Sequence, residues 1–215
     1  MKKYLSVLPI LTFVLLIIAT VPVKSELISD DFYFLESKIY SQGIFIENGI
    51  RLEYSTKNSR KDEILKIKNI FEKQFEVEVN IDKNTIYFSD NHREIKAIVW
   101  NNKEDTKVQI TYVNNDSKIN TNQLKKELEQ IEYFATKNIK YFNFVKVKII
   151  EEDKQNILDL LKRNIDEGTL EELNILNGKV AKGRLMDGSK INFSFMTYDE
   201  ENYLVIGTPV IFITY

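Results

Sequence analysis

Few residues of this chain have the types and spacings that catalysis requires. The chain contains one histidine, His92, and no cysteine, so a Ser-His-Asp or Cys-His mechanism has a single candidate imidazole. His92 ends the polar stretch Ser89–His92, which is typical of a turn between strands. We interpret it as an exposed turn residue and expect no catalytic residue of this kind.

Carboxylates offer a second chemistry. A pair of acids flanking a glycosidic bond can hydrolyse it, and Glu53 on one predicted strand could face Glu76 or Glu78 on another. With 32 acidic residues in the chain, however, some carboxylates meet by chance. A carboxylate-dependent cell-wall hydrolase therefore stands as the alternative to a protein without enzymatic activity.

The sequence predicts neither a metal site nor a cofactor. One histidine and no thiols leave no ligand set for structural zinc. The acidic runs Asp30–Asp31 and Asp199–Glu201 lack the alternating carboxylates and central glycine of a calcium loop. The seven glycines occur singly, so no glycine-rich loop could cradle a phosphate.

Trp100 is the lone tryptophan, and its position suggests binding. It ends a predicted strand, with parity opposite to the apolar residues of Ile95–Val99, so we predict that it lies on the other face of the sheet. An exposed indole can stack on a sugar ring or grip a peptide. Ile98 and Met196 share this parity and would enlarge the apolar patch if they were contiguous. The alternative is that Trp100 packs in a small cluster at the end of its strand.

Secondary-structure patterns show which elements must position these residues. The 3.6-residue spacing of apolar side chains predicts four helices. They are expected over about 30–40, over about 61–74 behind a Ser59/Asp62 capping box, from Asn122 to near Asn138, and after Asp153. Thr169 with Glu172 predicts a short additional helical turn, ended by Asn177 and Gly178.

Alternation with a period of two predicts strands between the helices. It is strict over Ile50–Ser55, and it recurs in several stretches between Glu76 and Asn114. Asp187-Gly188 predicts a type I′ hairpin turn, which requires positive φ at both residues. Further strands are expected over Val145–Ile149, Lys179–Met186, Ser189–Thr197, Tyr203–Ile206 and Val210–Tyr215.

The order helix-strand-helix-strands occurs twice, in residues 26–118 and again in residues 119–215. Two such halves can pair edge to edge. We therefore predict an α+β fold in which a duplicated unit forms one twisted antiparallel sheet, with helices on one face and the other face open to solvent. On the open face, the residues predicted to bind a partner are Arg51, Trp100, Lys148 and Asn192.

Residues 1–25 have the pattern of an export signal. Lys2 and Lys3 precede an uncharged run over Leu5–Val23, and small residues follow near Ser25. The run is long enough for an uncleaved single N-terminal membrane anchor, so both possibilities remain open. We expect a bacterial protein that is secreted or held on the extracellular side of the cytoplasmic membrane.

The charge of the remaining chain excludes nucleic acid as an expected partner. Without residues 1–25 it has 27 basic and 32 acidic residues, a net charge near −5. Duplex binding requires a clustered basic surface. The expected partner is instead a cell-wall component or an envelope protein, and the oligomeric state is not fixed by the sequence.

Element order, the export segment, the Asp187-Gly188 hairpin and the closing run Gly207–Tyr215 resemble the YwmB family of exported proteins from endospore-forming bacteria. The resemblance covers essentially the whole chain after the signal. It implies a fold similar to that of the TATA-box-binding protein and an association with envelope or sporulation processes. It does not imply DNA binding, since the open face is mixed in sign and the protein is expected outside the cell. It also supplies no catalytic residues.

Overall fold

The computed structural model describes residues 30–132 and 136–213. The predicted export segment, and Phe134 and Ala135 of the third predicted helix, lie outside the described residues. Within those two ranges, no helix is both long and apolar enough to cross a bilayer.

The predicted helices are present, with changes at their ends. The structure has four α-helices in the described residues: α1 (Asp30–Tyr40), α2 (Arg60–Phe75), α3 (Thr121–Glu129) and α4 (Lys154–Asn164). Asn120, not Asn122, caps α3, and it does so in a reciprocal capping box with Gln123. The predicted end of this helix near Asn138 was wrong, because α3 ends at Glu129 and Asn138 lies in a strand. Asp153 precedes α4 but makes no capping hydrogen bond through its side chain.

The predicted cap of α2 is confirmed. Ser59 Oγ accepts a hydrogen bond from the Asp62 backbone N–H at 3.2 Å, which satisfies one of the free donors of the first turn. We expect Ser59→Ala to lower the free energy of unfolding by about 1 kcal/mol, as measured by chemical denaturation. Ser37→Ala, on an exposed site inside α1, is the matched control. A loss as large in the control would contradict a specific capping role.

All ten strands of the described residues belong to one antiparallel sheet. Its order is β2-β3-β4-β5-β1-β6-β10-β9-β8-β7. The strands are β1 (Ile44–Thr56), β2 (Asn80–Asp82), β3 (Thr85–Ser89), β4 (Arg93–Asn102), β5 (Asp105–Asn114), β6 (Lys137–Ile149), β7 (Glu171–Ile175), β8 (Gly178–Arg184), β9 (Lys190–Tyr198) and β10 (Glu201–Thr208).

The two halves of the chain meet at β1 and β6. Read outwards from this junction, both halves have the same order: the first strand, then the last, then the others in reverse. Gly49 pairs with Phe144 near the centre of the ladder. The predicted α+β class and single antiparallel sheet are therefore confirmed.

The helices cover one face of the sheet. Ile50, Leu52 and Tyr54 of β1 point into the same buried cluster as the apolar stripes of the helices. Packing is reciprocal across the junction, because α1 contacts β6 and α3 contacts β1. Residues of the opposite parity form the other face, which we call the open face.

Two local predictions in the second half were wrong. Glu171–Ile175 is a strand, not a helical turn after Thr169. The Thr169 hydroxyl instead donates to the Asp166 carbonyl and accepts from the Arg184 N–H, which fastens this loop to β8. The β8–β9 hairpin is present, but only Gly188 has a positive φ, of 85°. Leu185 N–H donates to the Ser189 carbonyl and Gly188 N–H donates to the Leu185 carbonyl. Three residues therefore separate Leu185 from Ser189, as in a type I turn followed by a bulge, rather than a type I′ turn.

The predicted final strand, Val210–Tyr215, is absent from the described residues. β10 ends at Thr208, and the Thr208–Pro209 peptide bond is cis. Proline has no N–H to donate to a ladder, and the chain leaves the sheet there. Residues 209–213, which we call the tail, turn back onto the open face. Residues 214 and 215 lie outside the described part.

Candidate functional site

The open face divides into an uncovered part and a covered part. The uncovered part lies on β3, β4 and β5 and includes Trp100, which is 40 % exposed. Trp100 faces the same side as Ile98, as its parity predicted. In the sheet it is paired with Lys107 of β5. We define the Trp100 patch as Tyr87, Lys96, Ile98, Trp100, Lys107 and Gln109.

Polar contacts organise the rim of the Trp100 patch. The Lys107 ammonium donates a hydrogen bond to Ser55 Oγ at 2.6 Å, which holds this side chain across β5 and β1. Gln109 pairs with Ile98 on one side and with Glu53 on the other. The patch therefore combines an accessible aromatic ring with two lysines and an amide, and Glu53 adjoins it on β1; this is the composition of a recognition surface.

The tail covers the second part of the open face. Phe212 packs edge-to-face on Phe144 of β6, with ring centroids 5.2 Å apart. Phe144 pairs with Gly49 on one side and with Gly207 on the other. A Cβ atom at Gly49 would lie 2.4 Å from the Phe144 ring, and one at Gly207 would lie 3.0 Å from Ile211. The two glycines thus make room for the aromatic pair and the tail.

Two residues predicted to bind a partner bind the tail instead. Arg51 Nη2 donates a hydrogen bond to the Phe212 carbonyl at 3.0 Å, and its guanidinium lies 4.5 Å from the Phe212 ring centroid. Asn192 Nδ2 donates to the Pro209 carbonyl at 2.5 Å. Burial lowers the pKa of Arg51 below its usual value. Both side chains are therefore partly occupied within the chain itself.

The structure does not bring the four predicted binding residues together. Lys148, on β6, forms an ion pair with Glu201 of β10 at 2.5 Å, and this contact lowers the pKa of Glu201. Trp100 is on β4, in the other half of the sheet. Met196 is buried on β9, five strands away from Ile98, so the two do not form one patch.

The candidate groups for catalysis also lie apart. Glu53 is on the open face of β1, whereas Glu76 follows the end of α2, which packs on the opposite face. His92 is exposed in the turn before β4, with Nδ1 3.1 Å from Asn115 Oδ1. Among the described residues, no three acids or histidines form a group that could hold a metal ion.

A groove of about 590 Å³ lies between the tail and the β7–β8 hairpin. Its walls include Leu173 and Val180 on one side and Val210 and Ile211 on the other. Sequence reasoning missed it because it expected the tail to be a strand in the sheet. No signal in Val210–Tyr215, a run of β-forming residues, indicates that residues 209–213 fold back.

Sequence reasoning also missed a buried polar network around Glu36 of α1. Its carboxylate accepts hydrogen bonds from Thr121 N at 2.9 Å, Thr121 Oγ1 at 2.5 Å and Tyr40 OH at 2.7 Å. Asn48, also buried, donates to Tyr40 OH and to the Ile119 carbonyl. Burial raises the pKa of Glu36, against the opposing effect of these hydrogen bonds. The network joins α1 to the first turn of α3, and Glu36, Asn48 and Thr121 within it are buried, so its role is structural.

Comparison with known proteins adds no identification. No protein-family model matches the chain, and no curated protein matches it in a sequence search.

Proposed function

We propose that this protein is a non-enzymatic binding or scaffold domain of the bacterial envelope, which recognises a cell-wall component or an envelope protein through the Trp100 patch. The single observation that carries the proposal is the exposed indole of Trp100 on the uncovered part of the open face. The localisation depends on the export signal predicted from residues 1–25.

The chemistry of the patch supports recognition of a ligand with both apolar and polar surface. An indole contributes a large contact area at a low cost in conformational entropy. Lys96, Lys107 and Gln109 can donate hydrogen bonds around it. The positive charges of Lys96 and Lys107 lie near the negative charge of Glu53 on β1. A surface of mixed charge does not favour binding of a phosphate backbone.

We also propose that the fold is similar to that of the TATA-box-binding protein and that the chain is related to the YwmB family. What supports this is the repeated order of elements and the equivalent strand order of the two halves about the β1–β6 junction. The proposal concerns architecture and family only. It brings no DNA-binding function to this chain.

The proposed function predicts that Trp100→Ala weakens binding to cell-wall sacculi. Removing the indole should weaken the affinity of the full chain for purified sacculi, measured by co-sedimentation, by about thirtyfold, because a central aromatic anchor contributes about 2 kcal/mol to binding. The matched control is Phe34→Ala. Phe34 is 50 % exposed on α1, on the other side of the sheet, and its replacement should leave retention unchanged.

Equal retention of the Trp100→Ala variant and the original chain would contradict the assignment of the patch. If the sacculi retain neither the original chain nor the variant, the partner should be an envelope protein, which crosslinking from position 100 in cells should capture. Release of soluble fragments from the sacculi would contradict a non-enzymatic function and favour the hydrolase.

A further inference from the structure

The strand β7 forms one edge of the sheet and leaves its outer side without a partner strand in the described residues. All five of its residues are exposed. Leu173 is 63 % exposed, and Leu176, in the turn that follows, is fully exposed. An unpaired edge presents free N–H and C=O groups to another chain, and exposed apolar side chains increase that tendency.

β7 has few of the features that usually protect an edge strand. Its sequence, Glu171–Ile175, contains no proline, glycine or lysine. Its two acids are both paired with lysines of β8 at 2.9 Å: Glu171 with Lys182 and Glu172 with Lys179. Their charges are therefore balanced within the hairpin and oppose a second strand only weakly.

We propose that two copies of this chain associate edge to edge through antiparallel pairing of β7 with β7, about a two-fold axis at Leu173. This register overlaps all five residues of the strand. It places Leu173 opposite the Leu173 of the second copy, Glu171 opposite Ile175 and Glu172 opposite Asn174. No two acids face each other directly, so the edge is complementary to itself.

The opposite edge of the sheet does not offer the same surface. β2 has only three residues, of which the last is Asp82, and Lys83 follows it. A three-residue strand forms a shorter ladder, and charges at an edge oppose pairing. The pairing of β7 is itself small for a stable interface, so the association should be weak and dependent on concentration.

Single cysteines test the register directly, because the chain contains none. Residues opposite each other in an antiparallel pair have Cα atoms about 4.5–5.5 Å apart, which suits a disulfide. Under mild oxidation the full chain with Leu173→Cys should form a covalent dimer. Glu172→Cys and Asn174→Cys should each form no covalent dimer alone and should form a covalent dimer when mixed. Preferential crosslinking of Asn174→Cys alone would overturn the register.

Sedimentation tests whether this edge drives association. The full chain should show a dimer that increases with concentration, and Leu173→Glu should weaken the dimer at least about tenfold, since two carboxylates would then face each other. Met186→Glu is the matched control, because Met186 is 64 % exposed in the β8–β9 turn. A monomer at every concentration would overturn the proposal, as would an unchanged dimer in Leu173→Glu. Loss of the dimer in the Ile81→Glu variant would assign the contact to β2, at the other edge of the sheet, and would also overturn the proposal.

The pairing is independent of the proposed ligand surface. The Trp100 patch lies on β3, β4 and β5, in the half of the sheet away from β7. Loss of sacculus binding in Trp100→Ala and loss of the dimer in Leu173→Glu are therefore separable results.

Discussion

Replacing Glu36 with alanine should lower the free energy of unfolding by about 3 kcal/mol or more, because several buried donors would lose their acceptor at once. Thr121 alone donates to this carboxylate through both its backbone N–H and its hydroxyl. Chemical denaturation of the variant measures the loss. A change below about 1 kcal/mol would show that other groups or water satisfy these donors.

Glu36→Gln is the matched control, and it also isolates the effect of pH. Burial raises the folded-state pKa of Glu36 above its ordinary value of 4.5, so the folded protein binds this proton more tightly than the unfolded chain does. Relative to Glu36→Gln, the original chain should lose stability as the pH rises from 4.5 and should stop losing it above the raised pKa. A constant difference between the two chains over this range would contradict the pKa shift.

Phe144→Ala should lower the free energy of unfolding by about 3 kcal/mol, because the ring is fully buried. The burial depends on the tail, which places Phe212 against it. We therefore expect Phe144→Ala and Phe212→Ala to be non-additive, with a coupling of about 1 kcal/mol, which a double-mutant cycle measures. Additive losses would mean that the tail does not lie on Phe144 in solution.

Local patterns predicted the elements well where a single physical cause dominated. The alternation in Ile50–Ser55 arises because one face of β1 packs on helices and the other does not. Ser59 was recognised as a cap because its partner, Asp62, lies only three residues away. The order of elements was enough to predict that two halves share one sheet.

The sequence predicted less well where the decisive contact is distant in the chain. Glu36 lies one position from Leu35, which is buried, and its partner Thr121 is far along the sequence, so no local pattern indicates their pairing. Thr169 resembles a helix cap until its contact with Arg184 is seen. The tail was expected to be a strand because Val210–Tyr215 has high β propensity, and propensity does not specify which surface a segment will meet.

The candidate site was predicted in part. The parity of Trp100 correctly placed it on the face opposite the core, since parity depends only on the strand period. The prediction that Trp100 lies beside Lys148 and Asn192 was wrong. Which residues of one face are neighbours depends on the order of the strands, and parity does not specify that order. Arg51 and Asn192 lie on the same face, but the tail already contacts both.

The β1–β6 junction has the form of a subunit interface enclosed within a single chain. Equivalent strands of the two halves meet there, and each half places its first helix on the first strand of the other, as in an isologous dimer. Because a covalent connection joins the halves, this contact forms intramolecularly, and its strength does not fall on dilution. A gene encoding only residues 26–118 would remove that advantage, leaving β1 with a bare edge that could be filled only by a second molecule.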